Sequence, residues 1–75
     1  MKKAQSVRLS AAIFLLRRPP TGDSVDKAAR MTAKEILRDR TDTLRRYARL
    51  NPGTAGSKKA WELVREYNRI IHEAK

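Results

Sequence analysis

Five cations recur at helical spacing through the middle of the chain. Lys27, Lys34, Arg38, Arg45 and Arg49 fall on one side of a helical wheel, with Arg46 at its edge. Charges converging along a stripe are what a phosphate backbone requires, because each contact neutralises one phosphate and releases its counterions. Lys58 and Lys59 follow across a Pro/Gly-rich turn and would extend the basic end. Lys34, Arg38, Arg45, Arg46, Arg49, Lys58 and Lys59 are therefore the candidate nucleic-acid-binding residues. A charged helix face is ordinary for a solvated helix, so the stripe alone decides little. The formal net charge of +10 on 75 residues moves the balance toward a polyanionic partner.

A second group of residues could anchor a protein partner. Trp61 lies on a helical wheel beside Arg65, Asn68 and His72, off the centre of the nearest apolar face. An aromatic next to Arg on such an edge suits a protein interface or a base-stacking platform. The opposing reading is that Trp61 covers the edge of a small core. Phe14 and Leu15, within the apolar run Ala11–Leu16, are the other candidate anchors, so the partner-binding set is Trp61, Arg65, Phe14 and Leu15.

Catalysis finds no constellation here. His72 is the single His, there is no Cys, and no Ser-His-acid arrangement accompanies it. Asp39 and Asp42 share a side with several Arg, which surface pairing explains better than acid/base work. No ligand spacing suits a metal, so neither an enzyme nor a cofactor is expected.

The elements that would position these residues follow from two breaks. Pro19-Pro20-Thr21-Gly22 and Asn51-Pro52-Gly53-Thr54-Ala55-Gly56 hold all the Pro and Gly of the chain. They divide a single small domain into a basic, apolar segment over 1–18, a break over 19–22, and a helical hairpin over 23–75. The fold expected is all-α: an antiparallel hairpin of helices at about 24–50 and 57–74, with the N-terminal segment packed on it. That segment reads as a helix because Ala and Leu dominate and Arg17-Arg18 suit a helix C-terminus, although Val7, Leu9, Ala11 and Ile13 also alternate as in a strand.

In the second segment Asp23 is the expected N-cap, and Asp26 would favour the helix dipole. Val25, Ala29, Thr32, Ala33, Ile36, Leu44 and Tyr47 form its expected apolar side. Arg38 to Thr43 has no apolar side chain, and Arg40 lands within the apolar stripe, so a kink near Thr41 competes with one continuous helix. In the third segment Thr54 and Ser57 are both plausible caps. Ala60, Leu63, Val64, Tyr67, Ile70, Ile71 and Ala74 make the apolar face, and Glu62 and Glu66 would pair with Arg65 and Arg69 outside. Tyr47 and Tyr67 are both read as core.

The basic turn invites comparison with a helix-turn-helix, and the comparison fails. Leu50 to Ser57 is longer than the usual turn of about 3–4 residues, and Glu62 and Glu66 ill suit a groove-facing helix. The leading expectation is a small, basic nucleic-acid-binding regulatory protein that holds phosphates, with a homodimer allowed. The alternative is an adaptor or inhibitor, of the kind viruses use, docking on an acidic surface of an assembly such as the transcription machinery. Membrane-surface association ranks third. The N-terminal run is short for a secretory signal, lacks a small-residue cleavage site and cannot span a bilayer, so a cytoplasmic protein is expected.

Overall fold

Two connections, one with Pro19-Pro20 and one with Pro52, set the helix boundaries. In the computed structural model, which describes residues 2–74 and the side chains of 8–74, α1 spans Lys2–Arg17, α2 spans Ser24–Leu50 and α3 spans Ala55–Glu73. The N-terminal segment is thus helix, and no strand occurs among the described residues. Val7, part of the strand-like alternation, has its side chain outside the described residues.

α1 stops where Pro19 and Pro20 remove two amide donors and bar the preceding residue from helical geometry. Its last helical bond runs from Arg18 N–H to the Phe14 carbonyl at 3.3 Å. Asp23 caps α2, accepting from Val25 N–H at 3.4 Å. At the other end the backbone and side-chain amides of Asn51 both donate to the Tyr47 carbonyl, at 3.1 and 3.0 Å. Gly53, with φ of 77°, turns the chain through a conformation that L side chains rarely adopt. Thr54 then caps α3: its hydroxyl oxygen accepts from Ser57 N–H at 3.1 Å and donates to the Asn51 carbonyl at 2.8 Å. Ser57, the other candidate cap, is instead buried inside the first turn.

α2 and α3 form the antiparallel hairpin. Tyr47 lies over Gly56 beside the turn, while Ala33 and Leu37 share a cluster with Tyr67 and Ile70 toward the far end. Ala33, Ala48, Ser57 and Ala60 are buried where the helices meet, and such small side chains let two helix axes approach closely. α1 completes the cluster with Ala12 and Leu16, flanked by Leu9, Ile13 and Leu15. The Cα radius of gyration is 13.5 Å and the extents are 44 × 28 × 14 Å. A compact chain of this length would have about 11 Å. The molecule is a flat, elongated slab, and both broad faces carry much of its surface.

The buried stripe of α2 corrects the expected one. Asp26, Arg30, Ala33, Leu37, Thr41 and Ala48 are buried, whereas Val25 is 73% exposed and Thr32 is also exposed. Tyr47 is 47% exposed and is not core; Tyr67 is. The reason is chemical. Three of the six buried residues are polar, so a hydrophobicity wheel leaves them out and swings toward the Val25–Tyr47 flank. Arg40 is exposed, so it does not interrupt the stripe. Nor does the helix break at Thr41: its hydroxyl donates to the Arg38 carbonyl at 2.8 Å, leaving the methyl to pack.

Candidate polyanion-binding face

Each helix of the hairpin has a stripe against its partner and two flanks. On one flank Ile36 of α2 and Leu63 of α3 pack on the cluster that contains Ala12 and Leu16 of α1. The other flanks therefore face away from α1, and helical periodicity places Lys27, Lys34, Arg38, Arg45 and Arg49 there on α2. The corresponding flank of α3 carries Trp61, Arg65, Asn68 and His72, with Lys58 and Arg69 at its outer edge. Cations outnumber acids on both rows: Asp42 stands within the α2 row between Arg38 and Arg45, and Glu62 adjoins Arg69 on α3. The expected basic stripe of α2 thus faces the same side as the edge that holds Trp61.

Ion pairing leaves this face charged. Among the described residues the pairs within 4.0 Å are Arg17–Glu66 at 3.6 Å, Arg18–Asp26 at 3.9 Å, Arg30–Asp26 at 2.9 Å and Arg45–Asp42 at 3.9 Å. Only Arg45 belongs to the face, and its contact is long and exposed, which contributes little. The expected pairing of Glu62 and Glu66 with Arg65 and Arg69 does not form; Glu66 reaches across to Arg17 of α1 instead. Asp42 pairs as expected, with Arg45, and Asp39 has no partner among these pairs.

The structure divides the candidate residues. Arg45, Arg49 and Lys58 lie at the turn end on the face away from α1, and Lys34 and Arg38 continue the row along α2. Arg46 and Lys59 are at the same end but off this face: Arg46 projects from the outer side of α2, and Lys59, one heptad before the Glu66 that reaches Arg17, lies on the α1 flank of α3. Lys34 and Arg45 are half-buried along their stems while the others are exposed, as long cationic side chains do when they lie along apolar surface. Trp61 is 40% exposed, so its indole is both anchored and accessible. Arg65 is exposed. Phe14 is 68% exposed on α1, with the Arg18 guanidinium 5.9 Å from its ring centroid. Leu15 is not available as an anchor, because it packs against the core cluster.

One polar site escaped the sequence reading. Arg30 and Asp26 are buried together, Arg30 Nε donating to Asp26 Oδ2 at 2.9 Å. Thr21 N–H donates to the same oxygen at 3.2 Å, and Arg30 Nη2 donates to the Arg18 carbonyl. Together these contacts tie the Pro-Pro-Thr-Gly connection and the end of α1 to α2. The bond from Arg30 holds the Asp26 carboxyl below its ordinary pKa; burial opposes this, while Thr21 N–H and the charges of Arg30 and Arg18 reinforce it. Arg30 Nη1 is buried without a partner among the described residues. An acid four residues before an Arg, in phase with Ala33 and Leu37, was the available signal. It reads equally well as an exposed helix pair, and only the packing distinguishes the two.

The class defined by this fold is a three-helix, all-α slab with one strongly basic broad face. Compared with protein families, with curated proteins and with solved structures, the chain has no match. Among the described residues no three His, Asp or Glu side chains gather as metal ligands, and no helix is long and apolar enough to cross a membrane.

Proposed function

We propose that this chain is a small nucleic-acid-binding regulatory protein that grips the phosphate backbone with the face opposite α1. The single observation carrying this reading is the convergence on that face of Lys27, Lys34, Arg38, Arg45, Arg49, Lys58 and Arg65, with Asp42 as the acid among them. From Lys27 to Arg49 the α2 row runs about 33 Å at 1.5 Å per residue, long enough to follow several phosphates. Affinity built this way is largely independent of sequence and falls steeply with salt. The test is a titration of labelled oligonucleotides at several salt concentrations. Tight binding at low salt with a steep logarithmic salt slope supports the reading, and failure to bind any nucleic acid at low salt overturns it.

A second reading has one observation in its favour. Phe14 stands largely exposed at the rim of an open groove lined by Ser10, Ile13, Arg17, Arg18 and Pro19, as an anchor for an acidic protein partner would. Leu15 no longer contributes to it. Retention of a stoichiometric protein partner after nuclease treatment, lost in Phe14→Ala, would favour this reading over the first.

A further inference from the structure

On α3 the spacing of the exposed edge is regular. Lys58, Trp61, Arg65, Asn68 and His72 succeed one another at intervals of three and four residues, and all five are exposed. They form a single stripe about 21 Å long at 1.5 Å per residue. Each has a use against an unstacked nucleotide. Trp61 offers an aromatic face, Arg65 and His72 offer planar cationic or imidazole surfaces, Asn68 offers an amide edge, and Lys58 offers a phosphate contact. Half-burial of the Trp61 indole fixes its orientation, so ordering it on binding costs little entropy.

The neighbouring row supplies what a stacking stripe lacks. Arg38, Arg45 and Arg49 of α2 run alongside on the same face, one interhelical distance of about 8–10 Å away. Cations in one row and stacking groups in the next match a strand laid along the hairpin with its phosphates over α2 and its bases over α3. A duplex keeps its base faces stacked within the helix, where Trp61 and Arg65 on a flat slab cannot reach them.

We infer that the α3 stripe Lys58, Trp61, Arg65, Asn68 and His72 is a base-stacking platform, and that the ligand is a single-stranded polynucleotide rather than a duplex. This inference rests on the phosphate-binding reading above and specifies the ligand for the same face.

The experiment uses the whole chain with four labelled ligands of equal phosphate number: a single-stranded DNA, the matching RNA, the DNA duplex, and an abasic deoxyribose-phosphate strand. Anisotropy reports affinity, and the emission of Trp61, the chain's one tryptophan, reports stacking. The base-bearing single strands should bind more tightly than the abasic strand and quench Trp61, while the duplex and the abasic strand should not quench. Trp61→Leu should weaken binding of base-bearing strands by roughly 5- to 100-fold, the range given by losing one stacked base. Binding of the abasic strand should be unchanged. Trp61→Phe keeps a ring and should stay close to wild type, and equal far-ultraviolet circular dichroism of the variants verifies the fold. The DNA and RNA arms separate the two sources of one ligand chemistry. Equal affinity for all four ligands, without quenching and without loss in Trp61→Leu, overturns the platform and leaves phosphate binding standing. Binding to none of them at low salt overturns both.

Discussion

If a face rather than total charge binds the phosphates, two double variants with the same net charge must behave differently. Arg45→Ala/Arg49→Ala removes two cations from the face opposite α1. Arg40→Ala/Arg46→Ala removes two exposed cations that project elsewhere, Arg40 on the α1 flank and Arg46 from the outer side of α2. Both variants carry +8, two less than the parent's +10. Each phosphate contact to a single strand contributes about 0.7 to the slope of log affinity against log salt, so losing two flattens it by about 1.4. Against a 1 M reference, that corresponds to roughly 25-fold weaker binding at 0.1 M salt. The off-face pair should keep the parent slope and lose less than about two-fold, through the general field alone. Folding should not intervene: of the four residues only Arg45 is ion-paired, through its long, exposed contact to Asp42. The assay is fluorescence anisotropy of a labelled oligonucleotide at four salt concentrations. Equal loss in both variants would refute the face and leave only a diffuse positive charge.

Three further outcomes concern the scaffold. Leu37 is the one large side chain fully buried among the described residues, so Leu37→Ala should cost about 2–5 kcal/mol. Thermal melting should then show a fall in Tm of at least about 10 °C for a domain this small. Because the Asp26 carboxyl is held below its ordinary pKa in the folded chain, its stabilisation is fully present above the unfolded value of about 3.9 and lost as pH falls through the folded one. Asp26→Asn should therefore lower Tm at pH 7, and the gap to the parent should narrow at pH 2–3; a constant gap would contradict the linkage. At the turn, a Cβ on Gly56 would collide with the Tyr47 hydroxyl and meet two of its ring carbons at 3.2 Å, and the half-exposed Tyr47 side chain would have to swing away. Gly56→Ala should be close to neutral in the parent and stabilising, by up to about 1 kcal/mol, in a Tyr47→Ala background. Additivity in that double-mutant cycle would show that the ring does not occupy the space.

Some of this molecule is legible without any structure. Pro19, Pro20, Pro52 and Gly53 mark both connections because their backbone chemistry acts locally, whatever surrounds them. Asp23 and Thr54 cap for the same reason. The apolar face of α3 is read correctly from Ala60, Val64, Tyr67 and Ile70, since nothing polar but Ser57 joins it. On α2 the reading slips toward Tyr47, because the buried stripe contains Asp26, Arg30 and Thr41. A wheel scores a side chain by its transfer tendency and takes no account of the partner that makes its burial tolerable.

By itself the sequence determined three helices, two connections, a large positive charge and the side of α2 on which that charge gathers. Those features follow from local backbone preferences and from counting. Tertiary packing alone decided that α1 takes one flank of the hairpin, so that Lys34, Arg38, Arg45 and Arg49 are left on the same open face as Trp61 and Arg65. It also decided that Leu15 packs against the core while Phe14 stands exposed, and that Arg46 and Lys59 share an end with the others without sharing their face. The physical reason is that a helix fixes angles about its own axis only. Which side meets a neighbour, and which remains for a ligand, is settled by how three helices jointly remove the most apolar surface from water.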